Sequence, residues 1–84
     1  MSDTGVKAVV EVLARVLTDR PGEVRVVESQ HKGTTLVELY VAPGDLGKVI
    51  GKQGRTAAAL RTLVASAAER EGKQVTLEIR DGKP

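Results

Sequence analysis

The sequence predicts an α+β fold: one two-layer domain with elements in the order αββααβ and a three-stranded sheet whose helices pack on one face. Three observations predict it. Apolar residues recur at helical spacing near the start of the chain and again after residue 55. Three other segments alternate apolar and polar residues, the period of strands. A turn, Gly51-Lys52-Gln53-Gly54, separates two helical stretches. Strands with one apolar face leave one sheet face wet and require helices over the other.

The first helix is expected over residues 4–18. Val6, Val9, Val10, Leu13, Val16 and Leu17 fall on one face of a 3.6-residue period and are assigned to the core; the alternative is that part of the stripe, with the exposed sheet face, forms a dimer surface. Asp3 or Thr4 can cap its start, and Pro21-Gly22 stops it. Residues 24–30 read as a strand with imperfect alternation. Residues 35–41 alternate better, with Val37, Leu39 and Val41 facing one way and Leu36, Glu38 and Tyr40 the other. Between them His31-Lys32-Gly33-Thr34 reads as a hairpin connection.

Pro43-Gly44-Asp45 breaks the second strand, and Asp45 is the expected N-cap of a short helix, Leu46 to Ile50. After Gly54 a helix runs from Arg55 to Glu71, with Ala57, Leu60, Leu63, Val64, Ala67 and Ala68 on one face. Its small alanines permit close packing. Gly72 suits the left-handed residue that ends a helix. Residues 74–80 form the third strand, with Val75, Leu77 and Ile79 inward. Residues 81–84 are expected to fray.

The chain of 84 residues makes one domain with a modest core. No cysteine is present, so disulfides and thiolate metal sites are excluded. Met1 to Thr4 lacks the basic start and apolar run of a secretory signal, and no stretch is apolar enough to span a membrane. A soluble cytoplasmic protein is expected.

Net charge is only +2, but it is unevenly spread. Residues 46–68 hold Lys48, Lys52, Arg55 and Arg61 and no acid. The rest of the chain has 9 basic against 11 acidic residues. A positive field focused on the glycine turn attracts polyanions. Tyr40 is the only aromatic residue, so RRM and OB modules that stack bases on rings fit poorly. Base contacts would have to be aliphatic or hydrogen-bonded.

Glycines let the turn backbone approach a sugar-phosphate chain and take positive φ. The following helix offers amides at its positive end. Lys52 and Arg55 add side-chain charge, and Val49 and Ile50 supply an apolar wall. Nucleotide loops do not fit. A Walker A loop needs four residues between its glycine and Gly-Lys-Ser/Thr; Gly47 and Gly51 are separated by three, and Gln53 stands where a hydroxyl is required. A dinucleotide fingerprint needs a third glycine and a βαβ setting, both missing.

The run Val49-Ile50-Gly51-Lys52-Gln53-Gly54-Arg55 resembles the Gly-x-x-Gly segment of KH domains, and the order αββααβ resembles their type II form. The longer run Val-Ala-Pro-Gly-Asp-Leu-Gly-Lys-Val-Ile-Gly-Lys-Gln-Gly-Arg-Thr-Ala (41–57), with Ala-Leu-Arg-Thr-Leu-Val (59–64), is similar to the KhpA family of small bacterial single-KH proteins. The resemblance covers nearly the whole chain, and residues 1–84 are expected to form a single KH domain. It implies a non-catalytic protein that clamps the backbone of about four nucleotides of single-stranded RNA. Gly51, Lys52, Gln53 and Gly54 would form the clamp. Ile50 would line the base groove, Arg55 would support the phosphates, and Lys48 and Arg61 would help electrostatically. Ala57, where many KH domains carry a bulkier aliphatic residue, would make the groove edge shallower.

The resemblance also implies a post-transcriptional regulator or RNA chaperone linked to cell elongation and division. It implies partners too: a homodimer, or a larger KH-containing protein of the KhpB type. The alternative reading is therefore a protein-interaction module in which RNA binding is secondary. Nothing points to catalysis or a cofactor. Ser29 and Ser66 have no histidine at a motif position. His31, the only histidine, reads as a hairpin-tip residue.

Overall fold

The computed structural model describes residues 5–84, so the caps expected at Asp3 or Thr4 lie outside the described residues. Helix α1 spans Val6–Leu17, strand β1 Arg25–His31 and strand β2 Thr34–Val41. Helix α2 spans Leu46–Ile50, helix α3 Arg55–Arg70 and strand β3 Gln74–Asp81. Short 3₁₀ turns at Pro21–Glu23, Pro43–Asp45 and Lys52–Gly54 link them. The predicted order αββααβ is the observed one.

The sheet order is β1-β2-β3. Strands β1 and β2 pair antiparallel, with Val26 opposite Leu39 and His31 opposite Thr34. The connection is a two-residue turn in which Lys32 and Gly33 both have positive φ, 48° and 84°. That backbone matches the twist of the flanking strands, which is why such turns dominate tight hairpins. Strand β3 runs parallel to β2, with Leu39 opposite Ile79. A parallel neighbour requires a crossover, and α2, the glycine turn and α3 together supply it.

Alternate residues of β2, namely Thr35, Val37, Leu39 and Val41, are buried under the helices. Val10, Val24, Val49 and Val64 complete the most deeply buried set. Burying each such side chain contributes roughly 1.5–3 kcal/mol. The opposite face carries Leu36, Glu38 and Tyr40, half-exposed as the alternation required. There the Tyr40 hydroxyl donates to Glu38 Oε2 at 3.2 Å, and Arg80 Nε donates to the same oxygen at 3.1 Å. Partial burial and the Glu38 carboxylate hold the Tyr40 phenol above its ordinary pKa; Arg80 partly offsets this.

Helix α3 ends as Gly72 predicted. Gly72 takes φ +68°, its amide donates to the Glu69 carbonyl at 3.1 Å, and the Lys73 amide donates to Ala68 at 2.9 Å. These two bonds satisfy the last carbonyls of the helix. Regular structure continues one residue past the expected strand end: β3 includes Asp81, and the Gly82 amide donates to the Val41 carbonyl at 3.0 Å.

The stripe assigned to the core in α1 needs correction. Val6, Val10 and Ala14 are buried, but Val16 is 78% exposed. The apolar arc of α1 is wider than its contact with the sheet. On the edge of that arc, Val9 and Val12 line a groove beside α3, and Val12 and Val16 are exposed. Among the described residues no helix is long and apolar enough to cross a membrane, and no group of side chains has the makings of a metal site.

Candidate nucleic-acid interface

The glycine turn is a sharp corner between α2 and α3. Gly51 closes α2: its amide donates to Gly47 at 2.8 Å, and its backbone sits at φ +77°, ψ 172°, a region essentially restricted to glycine. The next corner is left-handed, with Gln53 at φ 55°, ψ 25° and Gly54 at φ 72°, ψ 15°. Three of the four turn residues thus have positive φ. This geometry leaves Lys52 and Gln53 exposed at the apex.

Gly51 is required for a second reason. A Cβ built there would overlap the Thr56 hydroxyl and lie 2.7 Å from Thr56 Cβ. The first turn of α3 therefore packs directly on the backbone of Gly51. Gly54 differs: a Cβ there would meet open space. Among the described residues no side chain caps α3, so its positive end lacks a capping oxygen from them. Arg55 Nη2 donates to Gln53 Oε1 at 3.1 Å, which draws the guanidinium back over the turn.

The nine sequence-predicted site residues separate into three groups. Gly51, Lys52, Gln53, Gly54 and Arg55 form one continuous surface, with Ile50 half-buried at its edge. Arg61 lies farther along α3, on the wall of a cleft of about 260 Å³ between α3 and β3. Lys52, Arg55 and Arg61 have no acidic partner among the described residues. Lys48 and Val49 stand apart. Val49 is fully buried in the core, so it anchors α2 and offers no wall to a ligand. Lys48 Nζ sits 3.2 Å from Asp19 and 3.9 Å from Asp45, so its charge is already paired. Ala57 is likewise buried, facing the core, and does not form a groove edge.

Asp45 departs from its expected role. It precedes α2 but makes no capping bond to it. Its carboxylate instead accepts the backbone amides of Asp19, at 3.2 Å, and Arg20, at 3.0 Å.

The residues that sequence reasoning missed are those of the cleft. Besides Arg61 it is lined by Val64, Val75, Thr76, Leu77 and Glu78. Val64 and Leu77 lie buried beneath it, and Arg61, Thr76 and Glu78 form its polar rim. The only signal in the sequence was the alternation of β3, which says nothing about which helix lies beside it. Thr56 was also missed, because its contact with Gly51 depends on the corner geometry.

A mixed three-stranded sheet whose central strand passes through a short helix, a Gly-x-x-Gly turn and a long helix into a parallel neighbour defines a KH domain, here with a helix and strand placed ahead. Comparison with known proteins agrees and narrows the class. A family described as KhpA/KhpB, KH domain matches residues 7–79, and the chain belongs to that family. The chain is 49% identical over 73 residues to the RNA-binding protein KhpA of Clostridium perfringens, covering 87% of this chain and 97% of that one. It is 47% identical over 76 residues to the RNA-binding protein KhpA of Aquifex aeolicus, covering 90% and 96%. Among solved structures it resembles Era in complex with MgGDPNP and nucleotides 1506–1542 of 16S ribosomal RNA, with a TM-score of 0.63 at 20% identity. That likeness covers 90% of this chain but 29% of Era, and it concerns the fold alone.

Proposed function

We propose that this chain binds single-stranded RNA without catalysing a reaction, and that the Gly51–Gly54 turn clamps the backbone of about four nucleotides. The observation that carries the reading is the turn itself. Three positive-φ residues hold its backbone open, Lys52 and Gln53 project from its apex, and the surrounding segment 46–68 has no acid. A phosphate chain can meet the turn without repulsion, and Lys52 and Arg55 are free to neutralise it. Bases would then rest in the cleft between α3 and β3, beside Val75 and Thr76, with Arg61 at the rim. The curated relatives named as RNA-binding proteins support the same reading. A single turn touches few phosphates, so binding is weak and sparing of sequence. Such binding suits a post-transcriptional regulator or RNA chaperone, and the link to cell elongation and division follows from family likeness.

The test is a salt titration of binding to a labelled single-stranded RNA. Neutralising two to four phosphates gives a slope of log K against log salt of about −1.5 to −3, at roughly −0.7 per phosphate. The Lys52→Asp/Gln53→Asp variant, shown by melting to be folded, loses the binding. A wild-type slope near zero, or an unaffected double variant, would overturn the clamp.

One observation favours a second reading, association through protein contacts with another copy or a KhpB-type partner. Among the described residues the exposed large apolar side chains are Val12, Val16 and Leu63, 59%, 78% and 49% exposed. Val12 and Leu63, with Ala8, Val9, Leu13 and Ala67, line a groove of about 750 Å³ between α1 and α3. Exposed apolar patches of this kind mark interaction surfaces. Sedimentation of the wild type beside Val16→Glu/Leu63→Glu tests it: self-association that the variant abolishes supports the reading, and a wild-type monomer at high concentration removes the homodimer.

A further inference from the structure

Asp45 does more than end a loop. It is 3% exposed, and both of its carboxylate oxygens are used. Oδ1 accepts the Asp19 amide at 3.2 Å and Oδ2 accepts the Arg20 amide at 3.0 Å. The donors lie 25 and 26 residues earlier in the chain, just after α1. That donor segment is itself set by α1, because the Thr18 amide and hydroxyl both bond the Ala14 carbonyl, at 3.1 and 2.9 Å. Lys48 adds a charged link, 3.2 Å from Asp19 and 3.9 Å from Asp45.

This tether lies at the head of α2, a helix of only five residues. So short a helix has little stability of its own and takes its orientation from its attachments. Three are visible. Asp45 ties its start to α1. Val49 seats its middle in the core. Gly51 ties its end to Thr56, with no room for a methyl group. The last contact leaves almost no freedom, so tilting α2 at one end displaces the turn at the other. We propose that Asp45 is a positioning residue for RNA binding, fixing α2 and through it the Gly51–Gly54 turn. The inference rests on the clamp reading above.

Two substitutions separate positioning from stability alone. Asp45→Asn keeps the size but sets an amide NH₂ against one of the two backbone donors. Asp19→Asn removes only the charged link to Lys48 and leaves both backbone bonds. Affinity for a fluorescein-labelled single-stranded RNA is measured against salt at a temperature where melting shows each variant folded, along with the amide resonances of Gly51 and Gly54. Asp45→Asn should weaken binding about fivefold or more, a typical coupling between distinct sites. It should reduce the salt slope by about 0.7, the increment of one phosphate, and shift both glycine resonances. Asp19→Asn should do none of these. A folded Asp45→Asn with wild-type affinity and slope overturns the inference, whereas a wild-type slope near zero fails the clamp instead.

A wild-type measurement decides the matter if Asp45→Asn does not fold. Coupling is reciprocal, so bound RNA must tighten the tether. Hydrogen exchange at the Asp19 and Arg20 amides should slow on adding saturating RNA, by more than at amides inside α1. Equal slowing at both places overturns the proposal.

Discussion

Gly51 and Thr56 are packed backbone against side chain across the corner that joins α2 to α3. A Cβ on Gly51 would overlap the Thr56 hydroxyl and lie 3.0 Å from the Thr56 amide nitrogen. Gly51 also holds φ +77° with extended ψ, whereas Gly54 holds an ordinary left-handed conformation in open space. The two glycines of one motif therefore carry different constraints. Gly51→Ala should cost more than about 3 kcal/mol, since clash adds to a strain of roughly 1–3 kcal/mol. Gly54→Ala should cost about 1–2 kcal/mol, the penalty of one left-handed residue. Urea unfolding of the two variants checks the order, and Gly54→Ala equal to or worse than Gly51→Ala would refute it.

The paired state of Lys48 predicts a contrast among basic residues. Lys48→Ala should leave the salt slope of RNA binding unchanged, because its ammonium is held by Asp19 and Asp45. Lys52→Ala should lower the slope by about 0.7. Anisotropy titrations across a salt series measure both.

The ends of β1 and α3 offer stability predictions that do not touch the site. Lys32 occupies φ 48° in the hairpin, a conformation that asparagine tolerates better than lysine. Lys32→Asn should raise stability by about 0.5 kcal/mol. Gly72 holds φ +68° between two carbonyl-capping bonds. Gly72→Ala should lower stability by about 1 kcal/mol, through strain and not through lost bonds. Equilibrium denaturation reads each change.

Tyr40 supplies a spectroscopic test of the open sheet face. It is the only tyrosine and there is no tryptophan, so alkaline absorbance reports one group. Partial burial, then the Glu38 charge and hydrogen bond, raise its pKa, so the titration midpoint should lie above the ordinary value of about 10. Folding favours the neutral phenol. That stabilisation is complete below the unfolded pKa and is lost as pH climbs through the folded one. Glu38→Gln should move the midpoint down toward that of free tyrosine, and a midpoint that stays put would exclude the Glu38 contribution.

Much of this protein is legible in its sequence because the deciding interactions are local. Alternation in 35–41 and 74–80, the Pro-Gly breaks, the hairpin glycine and the Gly72 helix end each depend on neighbours a few residues apart. The glycine turn is legible for the same reason: its four residues and the flanking helices are contiguous, and its acid-free setting can be counted. The Asp45 assignment failed on a local rule. Aspartate before a helix is ordinarily a cap, but here two distant amides reach it first.

The sequence by itself determined the element order, the turn, and where positive charge gathers. Only the tertiary structure decided which of those charges is free. Lys48 is paired with an acid 29 positions earlier in the chain, while Lys52 and Arg61 have no acidic partner among the described residues. It also decided that Val49 is an anchor and Val16 a surface, and that α3 and β3 enclose a cleft. The reason is physical. Periodicity says which residues share a face, but burial and ion pairing depend on what the fold brings against that face from elsewhere.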